Sequence, residues 1–183
     1  HLGDELVQNW DFMSPAVPAG DSWTTASPLP SWGNDANGHG ALEVISNAYL
    51  GAGMTGGDPA NQSLDSQSSP GGVSVSQTIS DISGGHIKLT VSVSAEEVIS
   101  GGQTYDTTGG SVLKISWNGQ TVITITEDDF RDPVTHAINY DAFKTFTADN
   151  LDAHGADTIG ISDTGNGFAG YAVDWVSAKE WIV

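Results

Sequence analysis

Strict alternation of apolar and polar residues runs through the middle of this chain, and it limits the fold more than any other feature. Val73-Ser74-Val75-Ser76-Gln77-Thr78-Ile79 places Val73, Val75 and Ile79 on one face. Ile87-Lys88-Leu89-Thr90-Val91-Ser92-Val93-Ser94-Ala95 continues the pattern. Side chains of a strand point alternately to two faces, whereas a helix repeats every 3.6 residues, so these runs predict half-buried strands. Leu113, Ile115 and Trp117 alternate in a third run; Asn118-Gly119 follows at once, and Thr121–Thr126 resumes the alternation. Asn-Gly suits the left-handed backbone of a two-residue turn, so these two runs are expected to form a β-hairpin.

Further strands are expected near Glu5–Val7, Ala41–Ile45, Ala142–Thr147, Thr158–Ser162 and Tyr171–Ser177. The segments between them are rich in Gly, Ser, Asn and Asp and read as loops: Pro15–Asn37, Tyr49–Pro59, Ser66–Gly72 and Ser100–Gly110. Only Asp128–Asn139 has room for a short helical turn. Many short strands separated by turn residues predict an all-β, jelly-roll β-sandwich, with residues 1–183 as one domain.

Charge narrows the partners. The chain carries 23 Asp and Glu against 5 Lys and Arg, a formal net charge of -18. Such a surface repels nucleic acid and anionic membranes and attracts divalent cations. Solubility in a salty habitat would account for the same composition. Cysteine is absent, which excludes disulfides, thiol nucleophiles and thiolate metal sites. No apolar run reaches the length of a membrane span, so membrane insertion is not expected. Export is the expected localisation, with any signal removed or lying elsewhere.

Several motifs, read in order, form one pattern. Leu6-Val7-Gln8-Asn9-Trp10-Asp11-Phe12 opens it. Leu42-Glu43-Val44, Asn61-Gln62-Ser63-Leu64-Asp65 and Val75-Ser76-Gln77-Thr78-Ile79 form its middle. The hairpin Leu113–Ile125 and the strand Tyr171-Ala172-Val173-Asp174-Trp175-Val176-Ser177 close it. This series resembles bacterial carbohydrate-binding-module-like domains of galactose-binding-like fold. The resemblance implies non-catalytic binding of a polysaccharide or cell-surface glycan by a monomeric module of a larger secreted protein. It also implies a structural calcium ion held by acids of the first and last strands. Asp174 matches the last-strand acid. Met13 stands where the opening motif has a glutamate, and the neighbouring acid is Asp11. Asp174 could equally be an acid satisfied by hydrogen bonds.

Sugars stack on exposed aromatic faces while amides and carboxylates bond their hydroxyls. Trp23 and Trp32 lie in the long polar loop, the second beside Asn34 and Asp35, and Tyr105 lies in another. Trp23, Trp32, Asn34, Asp35 and Tyr105 are therefore the candidate ligand residues. The competing reading makes the two Trp hydrophobic staples of the loop. Trp10, Trp117 and Trp175 sit in strand motifs and read as structural. No two of the five His have metal-ligand spacing on one element, and no G-x-S-x-G elbow is present, so no catalytic residue is nominated. A calcium-stabilised adhesin or spacer domain and a polysaccharide-degrading enzyme on a jelly-roll scaffold are the alternatives.

Overall fold

The computed structural model describes residues 1–33, 35–38, 42–50, 55–67, 71–81, 83–100, 102–106, 110–140, 142–167 and 169–182. Its strands are β1 (Trp23–Ala26), β2 (Leu42–Ser46), β3 (Gln62–Asp65), β4 (Ser74–Ile79), β5 (His86–Ala95) and β6 (Glu97–Ser100). They continue as β7 (Gln103–Asp106), β8 (Leu113–Trp117), β9 (Gln120–Ile125), β10 (Lys144–Asp152), β11 (Asp157–Asp163) and β12 (Tyr171–Glu180). Six strands form one sheet in the order β1-β2-β3-β12-β5-β10, four form a second in the order β4-β11-β8-β9, and β6 pairs with β7 alone. Every strand pairing is antiparallel.

The two large sheets pack face to face because each has one apolar surface. Leu42, Val44, Leu64, Val91, Val93 and Val173 from the six-stranded sheet meet Val75, Ile79, Leu113, Ile115, Ile159 and Ile161 from the four-stranded one. Burial of these alternate side chains drives the association. A second, smaller apolar cluster of Ile45, Leu50, Phe143 and Ala172 involves residues of β2 and β12 on the outer face of the larger sheet.

The alternating runs become β4, β5, β8, β9 and β11, and the Asn118-Gly119 hairpin forms, with both residues at positive φ. Four expectations change. Glu5–Val7 is not a strand: it lies beside β12, bonded through Leu6 N–H to the Ala178 carbonyl at 3.0 Å and through the Glu5 carboxylate to Ala178 N–H at 2.8 Å. The expected loop Pro15–Asn37 contains β1, whose four residues end in the buried Ala26. The expected loop Ser100–Gly110 contains β7. The helical turn forms earlier than expected, as a 3-10 turn at Glu127–Phe130 with Phe130 buried.

Candidate functional site

The outer face of the four-stranded sheet is a trough lined mainly by small hydroxyl side chains and a glycine. Register explains it. Ser76, Gly160 and Ser116 lie in one cross-strand row, and Ser74, Ser162 and Lys114 in the next. Thr78 and Thr158 close the row beyond, 3.1 Å apart through their hydroxyls. The period-two pattern that sends Val75, Ile159 and Ile161 inward leaves these residues outside. At Gly160 a Cβ would collide with Ser116 Oγ, so glycine keeps the floor open.

The trough continues past the end of β11. One cavity of about 250 Å³ is lined by Ser74, Ser76, Ser116, Thr158, Gly160 and Ser162, with Ala36 at its rim. A second, of about 510 Å³, is lined by Asn37, Gly72, Ser74, Asp163, Thr164 and Asn166. Ser74 and Ser162 line both, so the two cavities adjoin along the sheet. The larger falls within the usual range of ligand sites, about 300–1,000 Å³.

Backbone packing builds the far wall. The turn Asp163-Thr164-Gly165-Asn166-Gly167 is tied down from beneath. Asp163 accepts from Ser66 Oγ at 2.6 Å, from Ser111 Oγ at 2.7 Å and from its own turn's Gly165 N–H at 2.7 Å. Gln67 bridges Ser111 and the Gly167 N–H. Gly72 and Gly165 are needed for fit, because a Cβ at either would overlap the Asp163 backbone or the Gln67 amide. Behind this turn Asp65 is buried, and burial followed by the charge of Glu96 raises its pKa well above the usual carboxylate range.

The near wall is the loop around Asp35. Asp35 Oδ1 accepts from Ser74 N–H at 2.6 Å and from Asn37 N–H at 3.2 Å, and Ala36 N–H bonds the Ser74 carbonyl at 2.8 Å. Asn37 Nδ2 reaches the Gly72 carbonyl at 2.6 Å. Asp35 thus pins the loop to the β4 edge. It positions the wall, and that oxygen is occupied by backbone donors.

The expected ligand residues do not converge. Trp32 is fully buried: it packs against Phe12 with ring centroids 5.5 Å apart, and its Nε1–H donates to the Asn9 carbonyl at 3.2 Å. Its place as a stacking platform is corrected to core, because a buried ring offers no face to a sugar. Trp23 stands on the edge strand β1 of the other sheet, 51% exposed. Tyr105 is half-buried on the β6–β7 hairpin and donates its hydroxyl to Gln103 at 3.0 Å, away from the trough lining. Asn34 lies outside the described residues. Asn37, Ser74, Ser116, Thr164 and Asn166 were missed, since isolated Ser, Thr and Asn carry no motif. The one usable signal was the small residue Gly160 within a strand.

Asp174 is held elsewhere. The register of β12 against β5 shifts between Val173 and Trp175, making Asp174 the extra residue of a bulge. It is buried, and Asn47 Nδ2 donates to Oδ1 at 2.8 Å, with Asn61 Nδ2 at 3.5 Å. Burial, with smaller contributions from Asp58 and Asp11, raises its pKa despite these bonds. Among the described residues no three His, Asp or Glu side chains are placed to hold a metal ion together. The oxygens that face one another here are the Asp174 carboxylate and, on rotation, the Asn47 and Asn61 amide oxygens, with the Asp58 and Asp11 carboxylates near enough to add negative charge.

The molecule is an all-β sandwich of two antiparallel sheets, and solved proteins of low sequence identity share this fold. Its structure is similar to that of TmCBM61 in complex with beta-1,4-galactotriose, with a TM-score of 0.53 at 13% identity over 98% of this chain and 100% of that one. It is also similar to the Stig cyclase Fisc from Fischerella sp. TAU, solved with an indole ligand, with a TM-score of 0.66 at 15% identity over 97% of this chain and 98% of that one. An apo cyclase from Fischerella sp. gives 0.65 at 16% identity over 97% and 96%. No family model matches the chain, and no curated protein does. Binding and catalytic proteins thus share this architecture, and the fold by itself assigns neither role.

Proposed function

We propose that this protein is a non-catalytic module that binds a neutral polysaccharide or cell-surface glycan along the trough of the four-stranded sheet. The observation that carries this reading is the adjoining pair of cavities, the smaller floored by Gly160 and lined by Ser74, Ser76, Ser116 and Ser162. Hydroxyl side chains both donate and accept, as sugar hydroxyls do. Asp163, the acid at the end of the trough, has both oxygens occupied by Ser66, Ser111 and Gly165. With a net charge of -18 around it, such a site favours uncharged chains over polyanions. A module of this kind would be exported, as part of a larger protein. Affinity electrophoresis against a panel of neutral and acidic polysaccharides tests the reading; retardation by acidic chains alone would overturn it.

A second reading has its own observation. Trp23, half exposed on edge strand β1, is a ready stacking face, and Tyr49 in the 3-10 turn after β2 is exposed as well. Binding there would put the glycan on the larger sheet. Trp23→Ala separates the two sites.

The structural calcium ion belongs to this proposal too. Its support is the field around Asp174, where Asp58 and Asp11 add negative charge, and the presence of Asn47 and Asn61. Rotating either side-chain amide would exchange an N–H donor for a carbonyl ligand. A melting temperature unchanged between excess calcium and excess chelator would remove calcium from the account.

A further inference from the structure

β11 ends at Asp163 beside the trough and begins at Asp157 at the opposite end of the sandwich. There two turns are zipped together: Gly84 N–H bonds the Ala153 carbonyl at 2.7 Å, and Ala153 N–H bonds the Gly85 carbonyl at 3.1 Å. Two carboxyl groups sit in this junction. Asp157 is fully buried; Oδ2 accepts from His154 N–H at 2.7 Å, and Oδ1 lies 2.8 Å from His154 Nδ1 and accepts from the Asn118 amide. Asp81, just after β4, accepts through Oδ1 from Gly155 N–H at 2.6 Å. Asp81 Oδ2 is buried and meets no donor among the described residues. The Asp157 carboxyl, another acceptor, lies within hydrogen-bonding reach of the Asp81 carboxyl. Two acceptors are compatible in such a place when a proton lies between them.

We infer that Asp81 and Asp157 form a single-proton clasp that fastens the turn after β4 to the turn before β11 in mildly acidic solution and loosens it at neutral pH. Glu180 at the end of β12 adds negative charge toward Asp81, and the His154 ring covers Asp157 from the solvent side. Burial, followed by the bond to Asp157 and its charge, pushes Asp81 up to about 6. Burial opposes the charge of Asp157, but the donors from Asn118, His154 and Asp81 outweigh it and hold Asp157 at about 2. The ordinary value for both is 3.8. A raised carboxyl contributes stability that is full below its unfolded value and is lost as pH climbs through its folded one. A lowered carboxyl contributes stability that is full above its unfolded value and is lost as pH falls through its folded one. The clasp therefore stabilises most near pH 4, and its contribution is lost as pH climbs from there to about 6.

Asp81→Asn supplies at every pH the donor that Asp81 supplies only when protonated. In excess chelator, urea unfolding of the two proteins at pH 4.5, 6.0 and 7.5 reads the difference. The variant is expected to be the more stable at pH 7.5, and its advantage in the unfolding equilibrium constant should shrink by roughly tenfold or more by pH 4.5. A difference that stays constant with pH, or a variant less stable at pH 7.5, would overturn the clasp. Carboxyl carbon NMR of aspartate-labelled protein gives a second test that needs no unfolding. One resonance should titrate with a midpoint near 6 and be missing from the variant. Absence of any such resonance would refute the shared proton.

Discussion

Gly160 lies opposite Ser116 so closely that a single added methyl would meet the serine hydroxyl. The pair sits in the middle of the four-stranded sheet, where a larger residue would ordinarily add packing and β-propensity. Glycine here gives up that gain and leaves the trough floor open. The glycan reading depends on that opening. The same face becomes a plain hydroxyl-coated sheet once it is filled.

Trp32 should behave as a core residue. Trp32→Ala removes a fully buried indole that packs on Phe12 and bonds the Asn9 carbonyl. The expected loss is about 3–5 kcal/mol in stability, read by urea unfolding. Glycan affinity per folded molecule should fall only modestly, through loosening of the Asp35 wall. A Trp32→Ala protein of unchanged stability that has lost all binding would restore the stacking role.

Trp23 should behave in the opposite way. Its exposure on an edge strand predicts that Trp23→Ala changes stability by less than about 1 kcal/mol. Binding in the trough should persist. Loss of binding with the fold intact would move the ligand to the outer face of the larger sheet.

Asp174→Asn tests the buried acid and the ion together. Burial raises the pKa of Asp174, so its charged form costs stability as pH rises above the ordinary carboxylate value. In chelator at pH 8 the variant should therefore melt higher than the parent, with the difference shrinking toward pH 4. In excess calcium the order should reverse, because the asparagine removes a charged ligand. Melting curves in the four conditions decide it. A variant that melts lower in chelator at pH 8 would show that the Asn47 bond outweighs the burial cost.

The sheets were legible in the sequence because alternation reports burial directly. Val75, Ile79, Leu113 and Ile115 face inward as their spacing requires. β1 and β7 were not legible. Each has four residues, and each stands at an edge or in an isolated hairpin, where little burial marks the pattern. Trp32 misled for a related reason: a tryptophan in a polar loop looks exposed, yet the loop folds back on Phe12 to bury it. Asp174 was found as a buried acid, but the bulge and the Asn47 and Asn61 amides that receive it come from segments far away in sequence. The trough was hidden in the polar half of the alternation. Its Ser and Thr residues are those of any solvent-facing strand, and only pairing with their neighbours reveals the row through Ser76, Gly160 and Ser116.

Gly160→Val is the most direct test of glycan binding in the trough. The parent protein and the variant would be compared for binding to neutral polysaccharides by affinity electrophoresis and calorimetry, with unfolding curves confirming that both are folded. Binding of the parent to a neutral chain and at least a roughly tenfold loss in the variant, about 1.4 kcal/mol, is the predicted result. Equal affinity in the two folded proteins, or no binding of any glycan by the parent, would contradict the account.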